Sequence, residues 1–210
     1  MHPFFEGHRG YSQGEIRADA LVHGIGIVGA FLGSITLLAH AGASWVLVSS
    51  LFGLMALLVC SAAYNLTPPS HLKWILRRFD HSAIYVLIAG TYTPLLPFLS
   101  DVSQSWTLGL VTWLGAAFGV VVKFVFPGRF DRLAILVYLA LGWVGVTAAG
   151  TFAQVLPPPV MSLIVAGGVL YTAGVIFYIW EQLNFHSAIW HGLVISAAAC
   201  QFAAITLLYW

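Results

Sequence analysis

The chain is poor in charge. Eight Lys and Arg and seven Asp and Glu make up only 7% of 210 residues. A water-soluble domain carries about 25% charged residues. So few cannot cover a globular surface, which excludes a soluble enzyme or a soluble binding module. The net charge of +1 leaves no basic excess for a nucleic-acid partner. Cys60 and Cys200 are the two cysteines, too few for a disulfide framework or a cysteine metal site; both read as small buried apolar residues. No segments alternate in the ten-residue pattern of a membrane β-barrel, and no internal repeat of the transporter kind is present.

What the chain has is apolar length. Hydrophobic residues form 60% of it, and they gather into seven runs, at 17–41, 44–64, 80–99, 105–126, 133–156, 159–180 and 188–209. A helix needs roughly 20 apolar residues to cross the hydrocarbon core, and backbone groups in lipid must be satisfied within the segment. The reading is an all-α integral membrane protein, a seven-transmembrane-helix bundle. Arg9 and Arg17 precede the first run; Lys73, Arg77 and Arg78 lie between the second and third; Lys123, Arg129 and Arg132 lie between the fourth and fifth. The loops near 42, 102 and 157 hold no Lys or Arg. Positive loops stay in the cytoplasm, so the N-terminus is expected to be cytoplasmic and the C-terminus outside, in a multi-pass protein of the cell membrane. The loop at 181–187 is placed inside by helix count alone. Residues 1–14 form a short cytoplasmic lead and residues 15–210 the membrane domain. Ala39-His40-Ala41 resembles a cleavage site, but the run before it exceeds the 7–15 residues or so of a signal core, and a retained helix is expected. Pro94 and Pro97 should kink or end the third helix.

Lipid rejects polar side chains, so those within the runs are informative. Asp19 and His23 lie in the inner half of the first helix, Ser61 and Asn65 end the second, Asp80 and His81 open the third, and Ser187 and His191 open the seventh. Gln201 lies deeper. Asp19 and His23, Ser61 and Asn65, and Ser187 and His191 are each four apart, and therefore share a helix face. Each has an ordinary alternative. Asp80 could cap the third helix, His23 could be a hydrogen-bonded interior histidine, Ser61 could bond its own backbone, and Asn65 could end the second helix before Pro68-Pro69. His81 could point to headgroups, and Glu181 and His186 are expected in a solvated loop. Convergence of four helices at one depth favours a common pocket.

Phe79 to Pro94, FDHSAIYVLIAGTYTP, resembles the third-helix signature of the hemolysin III proteins, the bacterial branch of the progestin and adipoQ receptor superfamily. Glu15 with HGIG at 23–26, YLALGW at 138–143, GVIFY at 174–178 and SAIWHG at 187–192 also match, so the resemblance spans about residues 15–208. It implies seven helices with the N-terminus inside and a zinc site near the cytoplasmic face. In the family, zinc is held by a histidine ending helix 2 and an i, i+4 pair opening helix 7, beside a serine and an aspartate that correspond to Ser61 and Asp80. Relatives include metal-dependent ceramide hydrolases. Here the first histidine position holds Asn65, the pair reads Ser187 and His191, a further histidine position holds Gln201, and the helix 1 asparagine is Asp19. His186 is i, i+5 from His191, which turns it away from the pair. The motif therefore reads as degenerate, with His191 the surviving metal ligand.

The resulting expectation is a membrane protein acting in lipid homeostasis or sensing, with membrane lipids as partners. No cofactor is expected, or zinc if the altered site still binds it. Catalytic candidates are Ser61 and Asp80; pocket candidates are Asp19, His23, Asn65, His81, Ser187 and Gln201. The alternative is a metal-dependent lipid amide hydrolase, ceramidase-like, with rearranged ligands. A pore-forming or cytolytic protein fits less well, because the outer helix halves offer no polar lining.

Overall fold

A computed structural model describes residues 10–210. Arg9 and most of the expected lead lie outside the described residues. Among the described residues eight α-helices follow one another: α1 (Gln13–Ala41), α2 (Trp45–Leu66), α3 (His71–Tyr92), α4 (Val102–Val125), α5 (Asp131–Gly142), α6 (Ala149–Val155), α7 (Pro158–Ile179) and α8 (His186–Tyr209). Short 3-10 segments at Thr93–Phe98 and Val144–Ala148 prolong α3 and join α5 to α6. Six helical stretches, with Asp131–Val155 taken as one, are long and apolar enough to cross a membrane. The seventh, α3, spends its first turns on Lys73, Arg77, Arg78 and Asp80, and its apolar part runs on into the 3-10 segment.

Capping residues set the starts. Ser12 and Glu15 form a capping box at α1, and Ser44, Ser70 and Asp101 accept backbone N–H groups at the starts of α2, α3 and α4. Each satisfies a donor that a helix N-terminus leaves unpaired. The Ser70 cap starts α3 nine residues before the expected position 80. Asp80 therefore stands inside α3, and its reading as a cap is corrected. As expected from Pro94 and Pro97, α3 stops being α-helical at Tyr92 and tightens into a 3-10 segment.

The fifth expected run, 133–156, is interrupted. Tyr92 is responsible: its hydroxyl donates to Gly142 O at 2.5 Å and accepts from Gly145 N at 2.9 Å. A side chain inserted into the backbone ladder breaks a helix locally. The break gives the buried phenol both partners it needs in an apolar setting.

α2 packs along α3, α7 along α8, and α1 lies against both α2 and α8. Two glycines let α2 and α3 approach backbone to backbone. A Cβ on Gly53 would lie 2.9 Å from Val86 O, and one on Gly90 would lie 3.0 Å from Ser49 O. Leu54, Leu57 and Leu58 of α2, Ala83 and Leu87 of α3, and Val194 and Ala198 of α8 form the apolar layer directly below the polar cluster. A separate apolar cluster around Tyr92, Leu95, Phe152 and Val160 closes the opposite end.

Candidate functional site: a buried Asp-His-His-Ser centre

Helix α1 places Asp19 and His23 one turn apart, both buried. His23 Nδ1 donates to its own-helix Asp19 O at 2.8 Å. Helix α8 brings His191 in from the other side, and its Nδ1 donates to Asp19 Oδ1 at 2.6 Å. Two oxygen acceptors on Nδ1 atoms put the ring protons there and leave both Nε2 atoms as lone-pair acceptors. Both then face one hydroxyl. Ser61 Oγ of α2 lies 3.2 Å from His23 Nε2 and 3.5 Å from His191 Nε2. The ring centroids are 4.4 Å apart. Asp19 is thus shared by the two Nδ1 edges and Ser61 by the two Nε2 edges.

Asn65, one turn after Ser61, donates through Nδ2 to Ser61 O at 2.9 Å and to Ser61 Oγ at 3.2 Å, and sits 3.5 Å from His191 Nε2. Ser187 Oγ is 3.5 Å from His191 Nδ1. Asp80 is buried on α3 and faces Ser61, His191, Arg77 and Lys73. Of the expected site residues, Asp19, His23, Ser61, Asn65, Ser187 and His191 meet directly, with Asp80 beside them.

His81 and Gln201 do not join this centre. His81 is buried, 4.0 Å from Asp80 through Nε2, with Tyr64 edge-on to its ring and its carbonyl accepting from Tyr138 OH. It packs towards α5, away from the imidazole pair. Gln201 is ten residues beyond His191, roughly 15 Å along the helix. It donates to Ile164 O of α7 at 3.0 Å and fills the space beside Gly167. The expected pocket role of both is corrected. His186, expected in a solvated loop, is instead buried as the first residue of α8, stacked on Tyr11.

Sequence reasoning missed three supports. Lys73 Nζ donates to Asn65 O at 3.2 Å and Thr67 O at 2.8 Å, satisfying carbonyls at the end of α2. Glu15 accepts from Ser12 N at 2.8 Å and from Phe185 N at 3.0 Å, which ties α1 to the start of α8. Asp131 receives Arg77 at 2.6 Å and Lys123 at 2.8 Å and locks α3, α4 and α5. Ser12 three residues before Glu15 is a legible capping-box signal; Lys73 reaches back across the short α2–α3 turn and Asp131 gathers cations from two helices, and neither contact carries a sequence signature.

Asp19, His23 and His191 can each offer one ligand atom, and these atoms lie within 4.8 Å of one another, all buried. Two imidazoles and a carboxylate are a donor set that zinc accepts in sites with an open position. The His23 Nδ1–H bond to the Asp19 main-chain carbonyl is the kind of outer support that orients a ligating histidine. In kind, the residues fit a divalent cation. Beside His191, expected as the surviving ligand, α1 thus places two further groups able to ligate, Asp19 and the His23 that the rearranged-ligand alternative allowed.

The Haemolysin-III related family model matches residues 17–202. Over 194 residues the chain is 40% identical to the Hemolysin-3 homolog of Bacillus subtilis (strain 168), covering 90% of this chain and 91% of that protein. It is 36% identical to Hemolysin-3 of Bacillus cereus, covering 90% and 89%. It is 26% identical over 217 residues to the Monocyte to macrophage differentiation factor of Homo sapiens, covering 96% and 90%. With the helical membrane architecture and the motifs of α1, α3 and α8, these matches show that the chain belongs to the haemolysin III family.

Proposed function

We propose that this multi-pass membrane protein handles membrane lipids at the centre built by α1, α2 and α8, with Asp19, His23 and His191 holding a divalent cation there. The single observation that carries the proposal is three potential ligand atoms from two helices, buried and within 4.8 Å of one another. Isolated polar groups at such depth are costly, and their concentration marks a functional site. A zinc-type cation, when bound, supplies Lewis-acid polarisation of a carbonyl or of water. The chain supplies the rest. Asp19 fixes His191, the carbonyl of Asp19 fixes His23, and Ser61 and Asn65 present a hydroxyl and an amide beside them. The apolar layer of Leu54, Leu57 and Leu58 suits acyl chains. A bacterial cell membrane is the expected location.

Metal analysis of the detergent-purified protein tests this reading. The expected result is about one zinc per chain, lost in His191→Ala and in Asp19→Ala. Metal content in the wild type no higher than in His191→Ala would overturn it.

A further inference from the structure

Positive charge gathers on the α3, α4 and α5 side of the bundle, apart from the centre built by α1, α2 and α8. Residues 77–78 of α3 and 123–132 around the α4–α5 turn hold Arg77, Arg78, Lys123, Arg129 and Arg132 against Asp131. Asp131 is already taken by Arg77 and Lys123. Arg78, Arg129 and Arg132 form no ion pair among the described residues. The Arg78 Nε is buried and has no hydrogen-bond partner. A buried donor on a charged group is costly to leave unmet, so this corner calls for an acceptor from outside the chain.

The corner is held in shape. Pro127 and Gly128 form the middle of a turn closed by Arg129 N donating to Phe126 O at 3.1 Å. Gly128 has φ 78, the left-handed conformation that a type II turn requires at its third residue. That turn fixes where Arg129 leaves the chain, and its guanidinium lies 5.5 Å from the centre of the Phe130 ring. Arg78 stands between Arg77, which reaches Asp131, and Phe79, whose ring meets Phe124 of α4 edge-on at 5.1 Å. Both chain neighbours of Arg78 thus touch the α4–α5 end. Arg132 directly follows Asp131. Phe79, Phe124, Phe126 and Phe130 are all exposed, so the surface is apolar beside its unpaired arginines.

We propose that Arg78, Arg129 and Arg132 bind the headgroup of an anionic phospholipid, with its acyl chains along Phe79, Phe124 and Phe126. Guanidinium groups donate in pairs to phosphate oxygens. A zwitterionic headgroup carries its own cation, which three arginines repel. The rings favour a lipid over free phosphate, because an inorganic ion brings nothing to cover them. Retention of positive loops in the cytoplasm asks only for charge near the membrane. It does not ask that a guanidinium N–H be buried without an acceptor. Lys73 on the α2–α3 turn shows the difference, since its ammonium is spent on Asn65 O and Thr67 O. The orientation favoured by the basic residues puts the corner at the cytoplasmic leaflet, where anionic lipids carry the matching charge. The site shares no residue with Asp19, His23 and His191, so it stands or falls apart from the cation reading.

The full-length protein, purified in neutral detergent, is titrated with phosphatidylglycerol or with phosphatidylcholine of the same acyl chains. Native mass spectrometry reads the bound fraction. Phosphatidylglycerol should bind at least about tenfold tighter than phosphatidylcholine. Arg78→Gln and Arg129→Gln should each weaken the phosphatidylglycerol complex by about fivefold, the effect of one basic residue near a charged headgroup. Phosphatidylcholine binding should not change. Arg129 is exposed on its turn, so Arg129→Gln reads the site whether or not Arg78→Gln folds. Arg17→Gln removes the same charge from an exposed position on α1 and should bind like wild type. Equal binding of the two lipids would overturn the proposal. So would a loss in Arg17→Gln as large as that in Arg129→Gln, which is the mark of diffuse attraction. Inorganic phosphate should displace little of the lipid; full displacement at millimolar phosphate would make the free ion the ligand and overturn the lipid assignment.

Discussion

Glu15 Oε1 accepts from Phe185 N at 3.0 Å, joining positions 170 residues apart. Phe185 stands just before α8 with φ 61 and ψ 15, a left-handed conformation that costs a non-glycine residue roughly 1–2 kcal/mol. The Glu15 carboxylate pins that turn to α1. His191 lies less than two turns further on, so the turn sets how α8 presents its imidazole to Asp19. Glu15→Ala should destabilise the protein by about 1–3 kcal/mol, the cost of leaving buried donors unmet. The loosening should be local. Hydrogen exchange measured by mass spectrometry is expected to speed up across residues 183–190 and stay unchanged in α4. Uniform exchange in both regions would refute a hinge-pinning role.

Asp131 accepts from Arg77 and Lys123, and Lys123 is only 1% exposed. One carboxylate between two buried cations cannot be removed cheaply. Breaking a buried ion pair from one side costs roughly 3–5 kcal/mol; since the Asp131 side chain is 28% exposed, Asp131→Asn should fall near the lower end. Adding Lys123→Met should recover part of the loss, because the stranded charge is then gone. Thermal melts in detergent of the two single variants and the double variant check the coupling. Simple additivity would show that the three side chains act independently.

The fold was legible in the sequence because lipid imposes a simple rule: apolar runs of spanning length become helices, and they did so at α1, α2, α4, α7 and α8 within a few residues. The errors came from tertiary contacts. The early start of α3 follows from the Ser70 cap on a charged turn that hydropathy discounts. The break between α5 and α6 comes from Tyr92, some fifty residues away. The centre was half legible. Spacing of four put Asp19 with His23 and Ser61 with Asn65 on shared faces, and depth brought them to His191. Depth already set Gln201 apart, and it bonds to α7; depth could not separate His81, whose carbonyl accepts from Tyr138. The family positions alone point to α2 and α8, whereas a ligand set can also be assembled from a neighbouring helix at the same depth, as Asp19 and His23 of α1 show.

Close approach of α2 and α3 makes a sharp contrast between two glycines. A Cβ at Gly53 would press on Val86 O, a backbone atom that no rotamer change can move, whereas nothing lies within 4 Å of one at Gly24. Gly53→Ala should destabilise by about 1–3 kcal/mol through overpacking. Gly24→Ala should be neutral or stabilise by up to about 1 kcal/mol, the helix-propensity difference. Melting temperatures of the two variants, compared in one detergent, should move in opposite directions or differ clearly. Equal shifts would mean that the helices separate freely at that crossing.

Orientation rests on the basic residues. Lys73, Arg77 and Arg78 follow the α2–α3 turn, while the α1–α2 turn at Gly42 and Ala43 has no Lys or Arg. Positive loops are retained in the cytoplasm, so the end of the bundle carrying Asp19, Ser61 and His191 should face inward. In a background with Cys60→Ala and Cys200→Ser, a cysteine placed at Ala43 should react in intact cells with a membrane-impermeant maleimide. One placed at Pro69 should react only after the membrane is opened. Both positions are exposed, so accessibility in the protein itself does not limit the reaction. The reverse pattern would place the centre at the outer face and remove the cytoplasmic leaflet as the source of the proposed lipid.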